Sequence, residues 1–165
     1  MGDWRDFFLA AAGAAAVLAG LVFVGLSINL DMIMSNPTYG LPGRALEALV
    51  LLMAVLIVTV LLLVPGQGMV LAGVEVLAVG VADWGAIVAI HLRQLKNWRS
   101  LEPSLRFHSV GRVALGQVAM LLIVTAGVGV LSWGVGGVYV LVAGVVISSL
   151  VAVAEAWVLL VEIHR

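Results

Sequence analysis

Three carboxylates lie inside stretches that otherwise look built for lipid. Glu75 and Asp83 share GVEVLAVGVADWGAIVAIH (73–91), and Glu155 sits in LVAVAEAWVLL (150–160). A charged side chain at the centre of a bilayer costs at least ~2.5 kcal/mol, so such residues normally face protein or water. The alternatives are a bound proton, a hydrogen bond or a mobile cation as partner. Glu75 and Asp83 are eight residues apart, which on a helix means about 12 Å of rise and an angular offset of about 80°. They share a broad face without touching. Gly144, Ser148, Glu155 and Glu162 fall within about 40° of one another at helical spacing. Ala152 and Leu159 lie close to the same face, so the stripe is not continuously polar.

Other spans offer possible companions. Gln117 falls at a depth similar to Glu155, while Asn29 and Asp31 end the first apolar run and Glu47 opens the second. Asp31 and Glu47 read as wetted. Glu47 also stands in a first helical turn, where a negative charge suits the helix dipole. On this reading no Lys or Arg lies deep in any span. The buried acids are therefore expected to lack a salt-bridge partner in their own chain, which favours protons or cations over anions. The candidate ion pathway or proton site comprises Asp83, Glu75, Glu155, Gln117, Ser148 and Asn29. The competing reading is a satisfied structural hydrogen bond for Glu155 and a solvated helix end for Glu162.

Several chemistries are not expected. There are no cysteines, so no disulfide and no thiolate site. His91, His108 and His164 all fall at one side, and none pairs with another at metal or haem spacing. Neither H-E-x-x-H nor G-x-S-x-G is present. Two acids at mismatched depths do not make an aspartic dyad, whose carboxyls are about 3 Å apart. No glycine-rich nucleotide fingerprint occurs in its strand-to-helix context. The expectation is a protein that is not an enzyme, with no cofactor, no metal site and no nucleic-acid partner.

The elements that must position these residues follow from composition. The chain has 165 residues, 64% of them hydrophobic and 10% charged, with a mean hydropathy of +1.23. A soluble domain is about half apolar and roughly a quarter charged, so this chain reads as an integral membrane protein. A span needs about 20 apolar residues. Five segments qualify, roughly 7–30, 45–64, 69–92, 113–133 and 138–161, separated by DMIMSNPTYGLPGR, VPGQG and SWGVGG. The apolar run after MGDWRDFFLAAAGAAAVLAG continues to Leu30, longer than a signal-peptide core, so the start reads as a span. The fold class is an all-α polytopic transmembrane bundle forming a single transmembrane domain over 1–165.

Basic residues orient it. The loop 93–112 carries Arg93, Lys96, Arg99, Arg106 and Arg112; if it is cytoplasmic, Arg44 and Arg165 fall on the same side and only Arg5 lies outside. The expected topology is N-terminus out and C-terminus in. Trp4, Trp133 and Tyr139 then sit at the outer interface and Trp98 and Trp157 near the inner one, with Trp84 the exception near mid-membrane. Arg93, Lys96 and Arg99 are expected to meet anionic lipid headgroups. The stretch from Leu92 to Leu101 extends the third helix or lies on the membrane. In the first span, Gly13, Ala16, Gly20 and Ser27 form a narrow small-residue face, suited to close packing either inside one subunit or around an oligomer axis.

LAGLVFVGLSINLD (18–31), LPGRALEALVLL (41–52) and VPGQ (64–67) together resemble a group of small multi-spanning proteins of actinobacterial type with no established mechanism. The resemblance covers the first two spans best. It implies a bacterial plasma (inner) membrane address and carries over no functional residues.

The reading that follows is a homo-oligomeric membrane channel or pore conducting cations or protons, in which symmetry would turn single acids into rings. A non-conducting accessory or regulatory membrane protein and a small proton-coupled transporter are the alternatives. The absence of a convincing internal repeat counts against the last.

Overall fold

A computed structural model describes residues 4–35, 41–95 and 103–160. Among the described residues every regular element is a helix: α1 (Arg5–Ile28), α2 (Leu30–Ser35), α3 (Leu41–Leu61), α4 (Met69–Leu95), α5 (Pro103–Trp133) and α6 (Val135–Leu160). Five of these are long and apolar enough to cross a membrane, namely Arg5–Ile28, Leu41–Leu61, Met69–Gln94, Val110–Trp133 and Val135–Val158. The five apolar helices support a multi-pass membrane protein, as the composition predicts.

The boundaries differ from the sequence reading in three places. The first apolar run is broken at Asn29, whose amide side chain donates to the Gly25 carbonyl (3.0 Å) while its backbone N–H meets the same oxygen (3.2 Å). The residue caps α1 and lets the chain restart as α2. Helix α3 is already formed at Leu41, ahead of the expected 45, and Pro42 fits an early turn, where its missing N–H has no intrahelical role. Helix α5 begins at Pro103, so the described part of the basic 93–112 segment is helical at both ends. Lys96 and Arg99 lie outside the described residues, as does Glu162.

Helices α3, α4, α5 and α6 pack in a ring, each against its two neighbours, with α3 diagonal to α5 and α4 to α6. α1 lies outside this ring, on α3 and the edge of α6. It buries Phe8, Ala12, Ala15, Val22 and Gly25. Its other small residues, Gly13, Ala16, Gly20 and Ser27, point away from the bundle, and side-chain atoms added at Gly13 or Gly20 would meet nothing within 4 Å. Of the two uses foreseen for this face, packing inside one subunit is therefore corrected.

Two hairpin turns close one end of the ring, each through a glycine with positive φ: Gly66 (φ 72°) between α3 and α4, and Gly134 (φ 58°) between α5 and α6. Only glycine adopts that conformation without strain. We call this the turn end. At the opposite, basic end lie Arg44, Arg93 and Arg112.

Candidate functional site

The polar side chains that the fold brings together lie inside the ring, in its basic-end half. Glu47 is fully buried, not wetted, and Glu155 is 3% exposed. Each has an arginine from another helix. Arg44 Nε of α3 donates to Glu155 Oε2 of α6 at 2.6 Å. Arg112 Nη1 of α5 donates to Glu47 Oε2 of α3 at 2.5 Å and stands 3.9 Å from Glu155 Oε2. The expectation of acids without basic partners is thus corrected. Arg44 stands near the start of α3 and Arg112 near the start of the apolar stretch of α5, but their long stems carry the guanidinium groups inward, as amphipathic side chains do.

Glu47 has a second partner. His91 Nε2 lies 3.1 Å from its Oε1, and this imidazole is almost completely buried. His91 Nδ1 in turn is 2.9 Å from Gln117 Nε2, and Gln117 Oε1 accepts from the Trp84 indole N–H at 2.6 Å. Gln94 Oε1 accepts from Arg112 Nη2 at 2.5 Å. One connected network therefore runs Trp84–Gln117–His91–Glu47–Arg112, with the Arg44–Glu155 pair against its arginine. It draws on all four ring helices. With His91 neutral, two carboxylates face two guanidinium groups and the formal charges cancel. Burial of ions is tolerable only when each is paired and its remaining hydrogen-bonding capacity is met.

Glycines make the room. A side-chain carbon at Gly116 would stand 2.5 Å from Glu47 Oε1 and 3.5 Å from His91 Cε1. One at Gly43 would collide with the amide of Gln94. Both glycines let a neighbouring helix bring a polar group where a side chain would otherwise sit.

The sequence-derived candidates divide accordingly. Glu155 and Gln117 join the network, though Gln117 bonds Trp84 and His91 rather than Glu155. Ser148 is fully buried on the same face of α6, one turn beyond Ala152, and its hydroxyl has no hydrogen-bond partner among the described residues. Asp83 is half-buried, and its Oδ2 is buried without a partner among the described residues. Glu75 is not brought to Asp83. It is half-buried near the turn end, where Gln67 donates to it. Asn29 serves the α1 end and lies apart from the network. Arg93 is exposed at the basic end. No group of three or more His, Cys, Asp or Glu among the described residues could hold a metal ion.

The sequence reading missed Arg44, Arg112, His91 and the burial of Glu47. A signal was present. Gly80, Trp84, Ile87 and His91 recur at intervals of four, three and four, the spacing of one helix face. Arg112 heads a similar line through Gly116, Ala119 and Ile123. Position near the end of an apolar stretch masks that periodicity. Among known families, curated proteins and solved structures, none matches this chain.

Proposed function

We propose that the protein handles protons in the membrane, as a proton-conducting pore or proton-coupled carrier whose working site is the polar half of its own four-helix ring. The observation that carries this reading is His91. It is a buried imidazole between an amide and a carboxylate, inside an ion-pair cluster that touches four spans. Imidazole can accept a proton at one nitrogen while offering one at the other, which suits it to proton transfer. The site lies within one chain. Glu155, foreseen in a ring around an oligomer axis, is buried within the ring of its own chain and already matched by an arginine, so hydrated metal cations become the less supported cargo. Homo-oligomers remain part of the proposal through the outward face of α1. We place the basic end in the cytoplasm of a bacterial cell, with Arg93, Lys96 and Arg99 at anionic headgroups.

The test is reconstitution. Proteoliposomes loaded with a pH-sensitive dye should acidify faster than empty liposomes under an imposed potential. His91→Ala and Glu47→Gln should remove most of that flux while purified protein still runs as a folded species. A specific observation favours a second reading: the cluster's charges cancel, and the helix-to-helix contacts of the turn-end half are apolar. Both features suit a structural lock in a non-conducting accessory protein. Wild-type liposomes no leakier than empty ones would establish that second reading over the first.

A further inference from the structure

The network has a direction, and the direction is set by its least versatile member. An indole N–H donates and never accepts. Trp84 Nε1 therefore requires an acceptor, and it finds the Gln117 carbonyl at 2.6 Å. That choice turns the other end of the amide, its NH2 group, toward His91 Nδ1 at 2.9 Å. An amide nitrogen only donates, so Nδ1 must be the accepting nitrogen and carry no hydrogen. The imidazole hydrogen is left on Nε2, pointing at Glu47 Oε1. A second proton on Nδ1 would set two donors face to face. Rotating the Gln117 amide to relieve that clash would set its NH2 group against the indole N–H.

We propose that Trp84 and Gln117 are positioning residues that block protonation of His91 at Nδ1, confining its exchangeable proton to the side facing Glu47. Among the described residues, the titratable and polar groups that surround the buried imidazole come from all four helices. Glu47 and Arg44 approach from α3, Arg112 and Gln117 from α5, Glu155 from α6, and Trp84 and Gln94 belong to α4 itself. Glu47 and Glu155 are the imidazole's acidic neighbours and Arg44 and Arg112 its basic ones, and the amide–indole pair closes the remaining nitrogen by hydrogen-bond polarity rather than by charge. An amide N–H does not pass a proton on, so a proton relay through the network ends at Gln117 although the hydrogen bonds continue to Trp84. The block holds whether or not the bundle conducts. Its consequence for flux rests on the proton-handling reading: transfer beyond His91 toward the middle of the membrane requires Gln117 to let go of Nδ1.

The experiment is nitrogen NMR of histidine-labelled full-length protein in detergent at about pH 6.5, the ordinary midpoint of imidazole. His91 is assigned by comparison with His91→Gln. Wild type should show neutral imidazole with its hydrogen on Nε2. In Trp84→Phe the amide is free to turn, and doubly protonated imidazole should appear. Gln117→Glu keeps the size of the side chain but offers Nδ1 a carboxylate, so the doubly protonated form should dominate. A wild-type ring with hydrogen on Nδ1, or a Gln117→Glu spectrum identical to wild type, would overturn the proposal even if Trp84→Phe failed to fold. Dye-loaded liposomes of the same variants separate the two readings. A spectral change with no flux in any sample supports the block and removes transport, whereas flux without the spectral change overturns the block alone.

Discussion

The two halves of the four-helix ring hold the same helices together by opposite means. At the turn end the contacts are apolar and the backbones nearly touch. A side-chain carbon at Gly127 would lie 2.7 Å from the Leu77 backbone, one at Gly129 3.0 Å from Gly137 Cα, and one at Gly73 2.8 Å from the Leu131 side chain. Val58, Val76, Ala126, Val130, Val138 and Leu141 fill the core there. At the basic end the helices are joined by Arg44–Glu155, Arg112–Glu47 and His91–Glu47. Lipid is as apolar as leucine, so helices in a membrane gain little from burying leucine against leucine. Close packing of small residues and hydrogen bonds between helices are what remain. This molecule uses the first in one half and the second in the other. The halves should therefore fail differently.

Glu47→Ala should have the largest effect. It strands a guanidinium and an imidazole inside the ring, and breaking a buried pair in this way costs about 3–5 kcal/mol. The loss is read as a lower midpoint in unfolding by denaturing detergent. A Glu47→Met, Arg112→Met double variant should lose less than Glu47→Ala alone, because no charge is left stranded between the two sites. Losses that simply add would show that the pair is not coupled.

Gly127→Leu tests the other half. Leu77 offers backbone rather than a movable side-chain tip, so α4 and α5 must separate. Overpacking of this kind costs about 1–3 kcal/mol. The comparison sharpens if no second substitution rescues Gly127→Leu, whereas the ionic half is rescued by removing the stranded partner.

How much of this contrast was legible in the sequence depends on the half. The turn end was readable. VPGQG and SWGVGG mark its turns, and Gly73, Gly80 and Gly127 announce tight packing by type alone. Five spans followed from hydropathy because a bilayer leaves few alternatives. The basic end was misread, because a one-dimensional depth puts Arg44 and Arg112 at the rim. Their reach depends on side-chain length and on which helices stand opposite, and neither is in the local pattern. LPGRALEALVLL carried the clue in plain view: Arg44 and Glu47 are one turn apart, yet each pairs with a different helix.

Gly116→Ala should cost less than either Glu47→Ala or Gly127→Leu. The new methyl group meets Glu47 Oε1 at 2.5 Å, but Glu47 can withdraw only by loosening His91 or Arg112. A loss of about 1 kcal/mol is expected, at the low end of overpacking. It should come with a changed His91 resonance, a response that Gly127→Leu should not give.

Gly20→Ala should have the smallest effect. Its position is open and helical, so alanine should stabilise the isolated chain by roughly 0.5–1 kcal/mol. Gly20→Leu should leave unfolding nearly unchanged. If α1 meets a second copy, the same variant should lower the native mass in mild detergent; unchanged mass would free that face for lipid.

The ion pairs also bear on how the protein is made. Arg44 and Glu155 stand 111 residues apart, and Glu47 and Arg112 stand 65 apart. A ribosome releases α3 long before it releases its partners. Until α5 and α6 emerge, Arg44 and Glu47 have only each other, one turn away, or water and headgroups at the membrane rim. Full burial of α3 must therefore wait for the α5–α6 hairpin. Nascent chains halted after Trp133 should leave a cysteine at Ala48 open to aqueous labelling, and chains extended past Glu155 should close it. In this protein α6, whose Glu155 is made 111 residues after Arg44, decides when α3 can be fully buried.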